Sequence, residues 1–111
     1  MPAEGTTEAM HARVTTLVGP PERIVETFVA SWDMTNPIVR QLAGYRGASY
    51  MVDRYRGKAV VITLWNTAND MYRSEEQLDR LQGEMVGAWE VDAVSVERFE
   101  VAGEERVGED G

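Results

Sequence analysis

Seven consecutive residues, Ala59-Val60-Val61-Ile62-Thr63-Leu64-Trp65, are apolar or β-branched at odd and even positions alike. A strand with one face in water alternates apolar and polar side chains. This one does not, so both of its faces need a cover. Helices of the same chain can supply one. A chain of 111 residues buries only about 60–70% of its unfolded surface by itself, so the second cover is expected to be the sheet of a second copy.

The neighbouring segments supply the partners of that strand. Residues 12–18, Ala-Arg-Val-Thr-Thr-Leu-Val, are short and β-branched and are stopped by Gly19-Pro20-Pro21, which predicts a first strand. Pro21 suits the first turn of a helix, and Glu22 suits its positive end. Ile24, Val25, Phe28, Val29 and Trp32 then fall on one helical face. Asp33-Met34-Thr35-Asn36-Pro37 is expected to break that helix, because a residue before proline is pushed toward extended geometry. A second helical piece is expected from Ile38 to Ala43, ending at Gly44. Tyr45 to Tyr55 reads as a strand joined by Arg56-Gly57 to the return strand 58–65. With no bulge, Tyr50 is expected on the face opposite Tyr45 and Tyr55.

Asn66-Thr67-Ala68-Asn69-Asp70 starts a short helix through Arg73, and Ser74-Glu75-Glu76-Gln77 has the spacing of a capping box for a new one. Its apolar positions are Leu78, Leu81, Met85, Val86 and Trp89, with an end expected near Gly87. Residues 91–101 form the last strand. The expected class is α+β: a ferredoxin-like β-α-β-β-α-β chain with an antiparallel sheet and split helices. Residues 11–102 are one domain. Residues 1–10 and the acidic stretch 103–111 are expected to be loose tails.

Charge and cysteine content narrow the function. The net charge is −8 and the isoelectric point is near 4.6, a balance that disfavours nucleic acid and anionic membrane surfaces. There is no Cys and a single His, which excludes thiol nucleophiles, disulfides and Cys-ligated metal centres. No cofactor and no metal are expected. No apolar run approaches the length of a membrane span, and the start lacks the pattern of a signal peptide. A cytoplasmic, bacterial protein is expected by elimination.

Three motifs carry a family resemblance. Leu42-Ala43-Gly44-Tyr45-Arg46-Gly47 resembles the Pro-Gly-Phe-x-Gly lead-in to strand 2 of the antibiotic-biosynthesis-monooxygenase-like (ABM) proteins. Ile62-Thr63-Leu64-Trp65-Asn66-Thr67, ahead of an acidic helix start, resembles that family's departure from strand 3. Val96-Glu97-Arg98-Phe99-Glu100-Val101 resembles its closing strand. The resemblance spans residues 11–101 and implies a dimeric α/β barrel in which two subunits pack sheet against sheet.

It also implies a pocket between sheet and helices with Trp65 in its wall. Some polyketide monooxygenases of the family carry Asn four residues before this Trp, where this chain has Val61. The haem-degrading branch needs a His on the second helical region, and residues 67–89 contain none; the single His is His11. Haem degradation is therefore not expected. The candidate ligand-binding residues are Trp65, Tyr72, Arg73, Asn36, Asn69 and Trp32, with no catalytic residue assigned. Asn69, Tyr72 and Arg73 are spaced to share a helix face. The expected function is a cofactor-independent monooxygenase-like homodimer acting on a small aromatic or quinol-type compound. The alternative is a non-catalytic small-molecule-binding or purely structural homodimer.

Overall fold

The computed structural model describes residues 9–89, 92–105 and 107, with side chains described throughout except over 82–89 and 92–94. The elements run β1 (His11–Val18), α1 (Ile24–Val39), β2 (Tyr45–Asp53), β3 (Lys58–Trp65), α2 (Ala68–Trp89) and β4 (Asp92–Glu100). This is the expected β-α-β-β-α-β order. Most of both tails, and the Met85, Val86 and Trp89 side chains, lie outside the described residues.

The four strands form one antiparallel sheet in the order β2-β3-β1-β4. The most apolar strand, β3, and its partner β1 lie at the centre, where each has a neighbour on both sides. Pairing sets Arg13 opposite Thr63 and Thr15 opposite Val61. Along β1 and β3 the odd positions meet the helices: Leu17, Ala59 and Trp65 are buried there, with Arg13, Thr15 and Thr63. The even positions Val14, Thr16, Val60, Ile62 and Leu64 form the opposite face and are only half-buried. Among the described residues, the helices pack on the odd-position face alone.

The helices differ from expectation in being continuous. α1 passes through Asp33–Asn36 without a break and holds Pro37 in its last turn. Pro37 cannot donate a backbone hydrogen bond, yet the Arg40 N–H closes the end onto the Asn36 carbonyl at 3.0 Å. Burial of Val39 against Trp65, Met71 and Leu78 holds this last turn in place. α2 is likewise unbroken from Ala68 to Trp89. Thr67 caps it, its hydroxyl accepting from the Asp70 N–H at 3.0 Å. Ser74 is not a cap: its buried hydroxyl donates back to the Met71 carbonyl at 2.7 Å. A serine that satisfies itself on its own helix can sit inside it. The split-helix expectation is corrected on both counts.

The hairpin forms as expected, but the end of its first strand is corrected. β2 ends at Asp53, and Tyr55 stands 89% exposed in the turn. The Asp53 carboxylate accepts from the Tyr55 and Arg56 N–H groups and so forms the turn locally. A register shift between Tyr45 and Gly47 inserts one extra residue. That bulge puts Tyr45 opposite Trp65, while the regular register on its turn side sets Tyr50 opposite Val61, so both tyrosines reach the helix side. Gly44, with φ +81°, leads into this bulge and lies so close to Asp70 that a Cβ would overlap its carboxylate.

Candidate functional site

Two apolar clusters fill the space between sheet and helices. One joins Leu17, Ile24, Phe28 and Ala59. The other joins Val39, Trp65, Met71 and Leu78. They do not merge. Between them lies a cavity of about 70 Å³. Its sheet side is built by Arg13 and Thr15 of β1, Tyr50 of β2, and Val61 and Thr63 of β3. Its helix side is built by Phe28, Ser31, Trp32 and Thr35 of α1, with Leu78 and Leu81 of α2. The wall is mostly apolar, with a few polar groups on the sheet side, the mixture expected of a small-molecule site.

Arg13 is the least expected of these groups. It projects from the helix side of a central strand and is only 5% exposed. A buried charge needs partners, and α2 supplies them. Nη2 of Arg13 donates to Asp79 at 2.6 Å, and Nε lies 3.6 Å from Glu75. Nη1 makes a longer contact with the Thr15 hydroxyl, at 3.4 Å. Arg98 stands opposite Arg13 on β4 and grips Glu75 from the other side, with Nη2 at 2.8 Å. Glu75 thus separates two guanidinium groups on adjacent strands. Burial pushes the Arg13 guanidinium below its ordinary range, while Asp79 and Glu75 push it back up. The two arginines and two carboxylates balance formally, so this edge of the cavity is polar without being a free positive charge.

Tyr50 closes the other end. Its ring meets Phe28 edge-on at 5.6 Å and lies 3.9 Å from the Trp32 ring. Its hydroxyl is sealed from solvent and faces the Tyr45 side chain. Burial pushes the phenol far above its ordinary value, and the neighbouring Tyr45 adds to the shift. Tyr50 therefore stays protonated at neutral pH. The Ser31 hydroxyl donates to the Thr27 carbonyl of its own helix at 2.8 Å.

Of the residues singled out from sequence, Trp32 lines the cavity. Asn36, one turn further along α1, is half-buried and outside the lining. Trp65 is fully buried in the second cluster and does not line the cavity. It reaches the cavity through one bond, donated by its indole Nε1 to the Thr63 hydroxyl at 3.0 Å. Asn69, Tyr72 and Arg73 sit on the exposed side of α2. Arg73 pairs there with Asp70 at 3.0 Å, and Arg98 lies over the Tyr72 ring at 5.8 Å. Val61, where the resemblance places Asn in some monooxygenases, is on the cavity wall.

Sequence reasoning missed Arg13, Thr15, Tyr50 and Thr63. The available signal was parity, since Arg13 and Thr15 alternate in step with Leu17 and therefore had to share its face. Elsewhere, His11 Nδ1–H donates to the Ala9 carbonyl at 3.1 Å. Among the described residues, no three His, Asp or Glu side chains are grouped to hold a metal ion. No helix among them is long and apolar enough to cross a membrane.

Known structures share this arrangement. A dimeric ferredoxin-like protein from an uncultured marine organism superposes with a TM-score of 0.70 at 15% identity, covering 88% of this chain and all of that one. A Bordetella bronchiseptica protein described as an antibiotic biosynthesis monooxygenase superposes with a TM-score of 0.64 at 15% identity, over 86% of this chain and 99% of that one. SnoaB, a cofactor-independent oxygenase of Streptomyces nogalater, gives 0.57 at 14% identity over 91% and 99%. The chain has the ferredoxin-like fold of the ABM proteins, as its three motifs implied.

In sequence it is 30% identical over 96 residues to an uncharacterised protein found in two strains of Mycobacterium tuberculosis. The match covers 84% of this chain but only 41% of that protein, so the chain spans less than half the length of the curated relatives it matches. No family model matches the chain.

Proposed function

We propose that residues 11–102 form one subunit of a homodimeric, cofactor-independent monooxygenase-like protein that takes a small aromatic or quinol-type compound between sheet and helices. The cavity carries this reading: a mostly apolar space, walled by Trp32 and Phe28, with Arg13, Tyr50 and Thr63 at its sheet side. SnoaB, which shares the fold, is a cofactor-independent oxygenase. The dimer is supported by the half-buried apolar face of β1 and β3 and by the dimeric ferredoxin-like neighbour. A bacterial origin agrees with the mycobacterial relative.

In such a reaction the ionised substrate itself supplies the electrons that reduce O₂. One oxygen atom enters the substrate and the other leaves as water. The protein contributes an apolar enclosure and hydrogen-bond donors for the substrate oxyanion. Arg13 and Tyr50 both keep their protons at neutral pH, so neither is a general base. The substrate must therefore be acidic enough to ionise on its own, which points to a phenol, quinol or enol.

Size restricts it further. A dry cavity of about 150 Å³ accepts benzene, and this one is half that. Even a single ring must displace side chains, and Trp32, Thr35, Tyr50, Val61 and Leu81 are the half-buried ones.

That neither Arg13 nor Tyr50 serves as a base also favours a second reading, a binding protein without turnover. Purified protein incubated with hydroquinones and phenols under air separates the two. Saturable O₂ uptake with oxygenated product supports the oxygenase. Quenching of tryptophan fluorescence without O₂ uptake supports binding alone. Neither response, over a range of single-ring phenols to millimolar concentration, overturns both.

A further inference from the structure

Trp32 fills a place that a ligand's ring could take. The cavity is about 70 Å³, too small for a ring unless a wall residue leaves. The five half-buried wall residues are not equally free to do so. Tyr50 and Val61 stand on strands and pack against the cluster of Leu17, Ile24, Phe28 and Ala59. Thr35 is short, and Leu81 has no aromatic face. Trp32 is the largest of the five, and among the described residues it packs on neither buried cluster. Part of its surface is already in solvent, so it can swing outward without crossing the core. Its aromatic contact is the Tyr50 ring, 3.9 Å away between centroids and tilted by 49°. Phe28 meets the same Tyr50 ring edge-on at 5.6 Å. Phe28 belongs to the first cluster and stays when Trp32 leaves, so Tyr50 keeps its position.

We infer that the Trp32 indole occupies the aromatic subsite of the cavity, and that a ligand's ring binds by displacing it and taking its place against Tyr50. The inference rests on the binding reading above and names the residue that decides which ring is admitted. Displacement gives up the contact between Trp32 and Tyr50. An aromatic ring returns that contact, whereas a saturated ring fills the space without returning it. Shape acts in the same direction. The space an indole vacates is flat, and a chair-shaped saturated ring is thicker than a planar one. Trp32 therefore sets both the size of the ring and its aromatic character.

The test uses benzyl alcohol and cyclohexylmethanol, which carry the same hydroxymethyl group and differ only in the ring. By calorimetric titration of the wild type, benzyl alcohol is expected to bind roughly two- to tenfold tighter, the range of one aromatic pair. Iodide quenching of tryptophan emission, excited where benzyl alcohol does not absorb, is expected to rise on binding as the indole moves into solvent. Trp32→Ala empties the subsite beforehand. It is expected to bind benzyl alcohol roughly two- to tenfold tighter than the wild type, with no rise in quenching. The wild-type quenching decides the matter even where the variant fails to fold. Bound benzyl alcohol without a rise in wild-type quenching overturns the inference and leaves the binding reading standing. Equal affinities for the two alcohols, or a folded Trp32→Ala that binds no tighter, do the same. Binding by Trp32→Ala alone would show the indole to be a fixed part of the core and also overturns displacement. Failure of both alcohols to bind either protein at millimolar concentration removes the binding reading and the inference with it.

Discussion

The indole Nε1 of Trp65 donates to the hydroxyl of Thr63, two residues earlier on the same strand face, at 3.0 Å. Trp65 is completely buried, and Thr63 lines the cavity. The bond occupies a lone pair of the threonine oxygen and leaves its proton to be used elsewhere. The largest core side chain thus acts on the cavity through a neighbour. Thr63→Val keeps the shape but leaves a buried indole N–H unpaired, at about 1–3 kcal/mol. Trp65→Phe loses the same bond and also leaves a void, for a total of about 2–4 kcal/mol. Urea denaturation is expected to rank Trp65→Phe as the less stable of the two, and the reverse order would show that packing around residue 65 is loose.

Glu75 is expected to matter more than Asp79 to the ion cluster. Its side chain is 14% exposed, against 61% for Asp79, and it serves both Arg13 and Arg98. Glu75→Gln leaves a buried arginine under-compensated and should cost about 3 kcal/mol. Asp79→Asn, with its partly solvated carboxylate, should cost about 1 kcal/mol. Chemical denaturation of the two variants in parallel gives the comparison.

Gly44→Ala is expected to be destabilised by about 2 kcal/mol or more. Its φ of +81° is costly for an L side chain, and the new Cβ would overlap the Asp70 carboxylate. The two causes separate in the double variant. Asp70→Ala in the Gly44→Ala background should recover the steric part and leave the backbone part, about 1 kcal/mol. No recovery in thermal melts would mean that the backbone angle alone is responsible.

Stability should fall in alkali. Burial raises the Tyr50 and Tyr45 phenols above their ordinary value of 10.0. A group whose folded pKa is raised contributes stability that is whole below pH 10 and is lost as pH climbs from there toward the folded value. Between those limits only the unfolded chain ionises, and each such tyrosine removes up to about 1.4 kcal/mol per pH unit. Denaturation midpoints measured between pH 9 and 11 should decline, and the decline should be shallower in Tyr50→Phe. An identical slope in the variant would contradict the burial of that hydroxyl.

The proposed homodimer predicts a sedimentation mass twice the 12.4 kDa of one chain at micromolar concentration. Ile62, on the face of β3 away from the helices, is the position to test. Ile62→Asp would bury an unpaired charge at the interface, at a cost of several kcal/mol, and should yield a monomer or aggregate. A wild-type mass of one chain would refute the dimer.

The sequence by itself determined the order of elements, the central place of residues 59–65 and the need for two covers. These follow from short-range patterns: alternation, or its absence, along a strand, and 3.6-residue spacing along a helix. Proline and serine misled at Asn36-Pro37 and Ser74 because local propensities are worth about 1–3 kcal/mol. Burial of Val39, Met71 and Leu78 around Trp65 outweighs them, and that cluster gathers residues from three distant elements. The site depended still more on tertiary structure. Tyr45 shares the helix side with Tyr50 only through an extra residue near Gly47, which shifts every parity count before it. Arg13 gained its partners from residues 75 and 79 on α2, with α1, β2 and β3 intervening in the chain. The cavity itself is the gap between two clusters that do not merge. A gap has no residue of its own, so only the packing of all the elements decides where it falls.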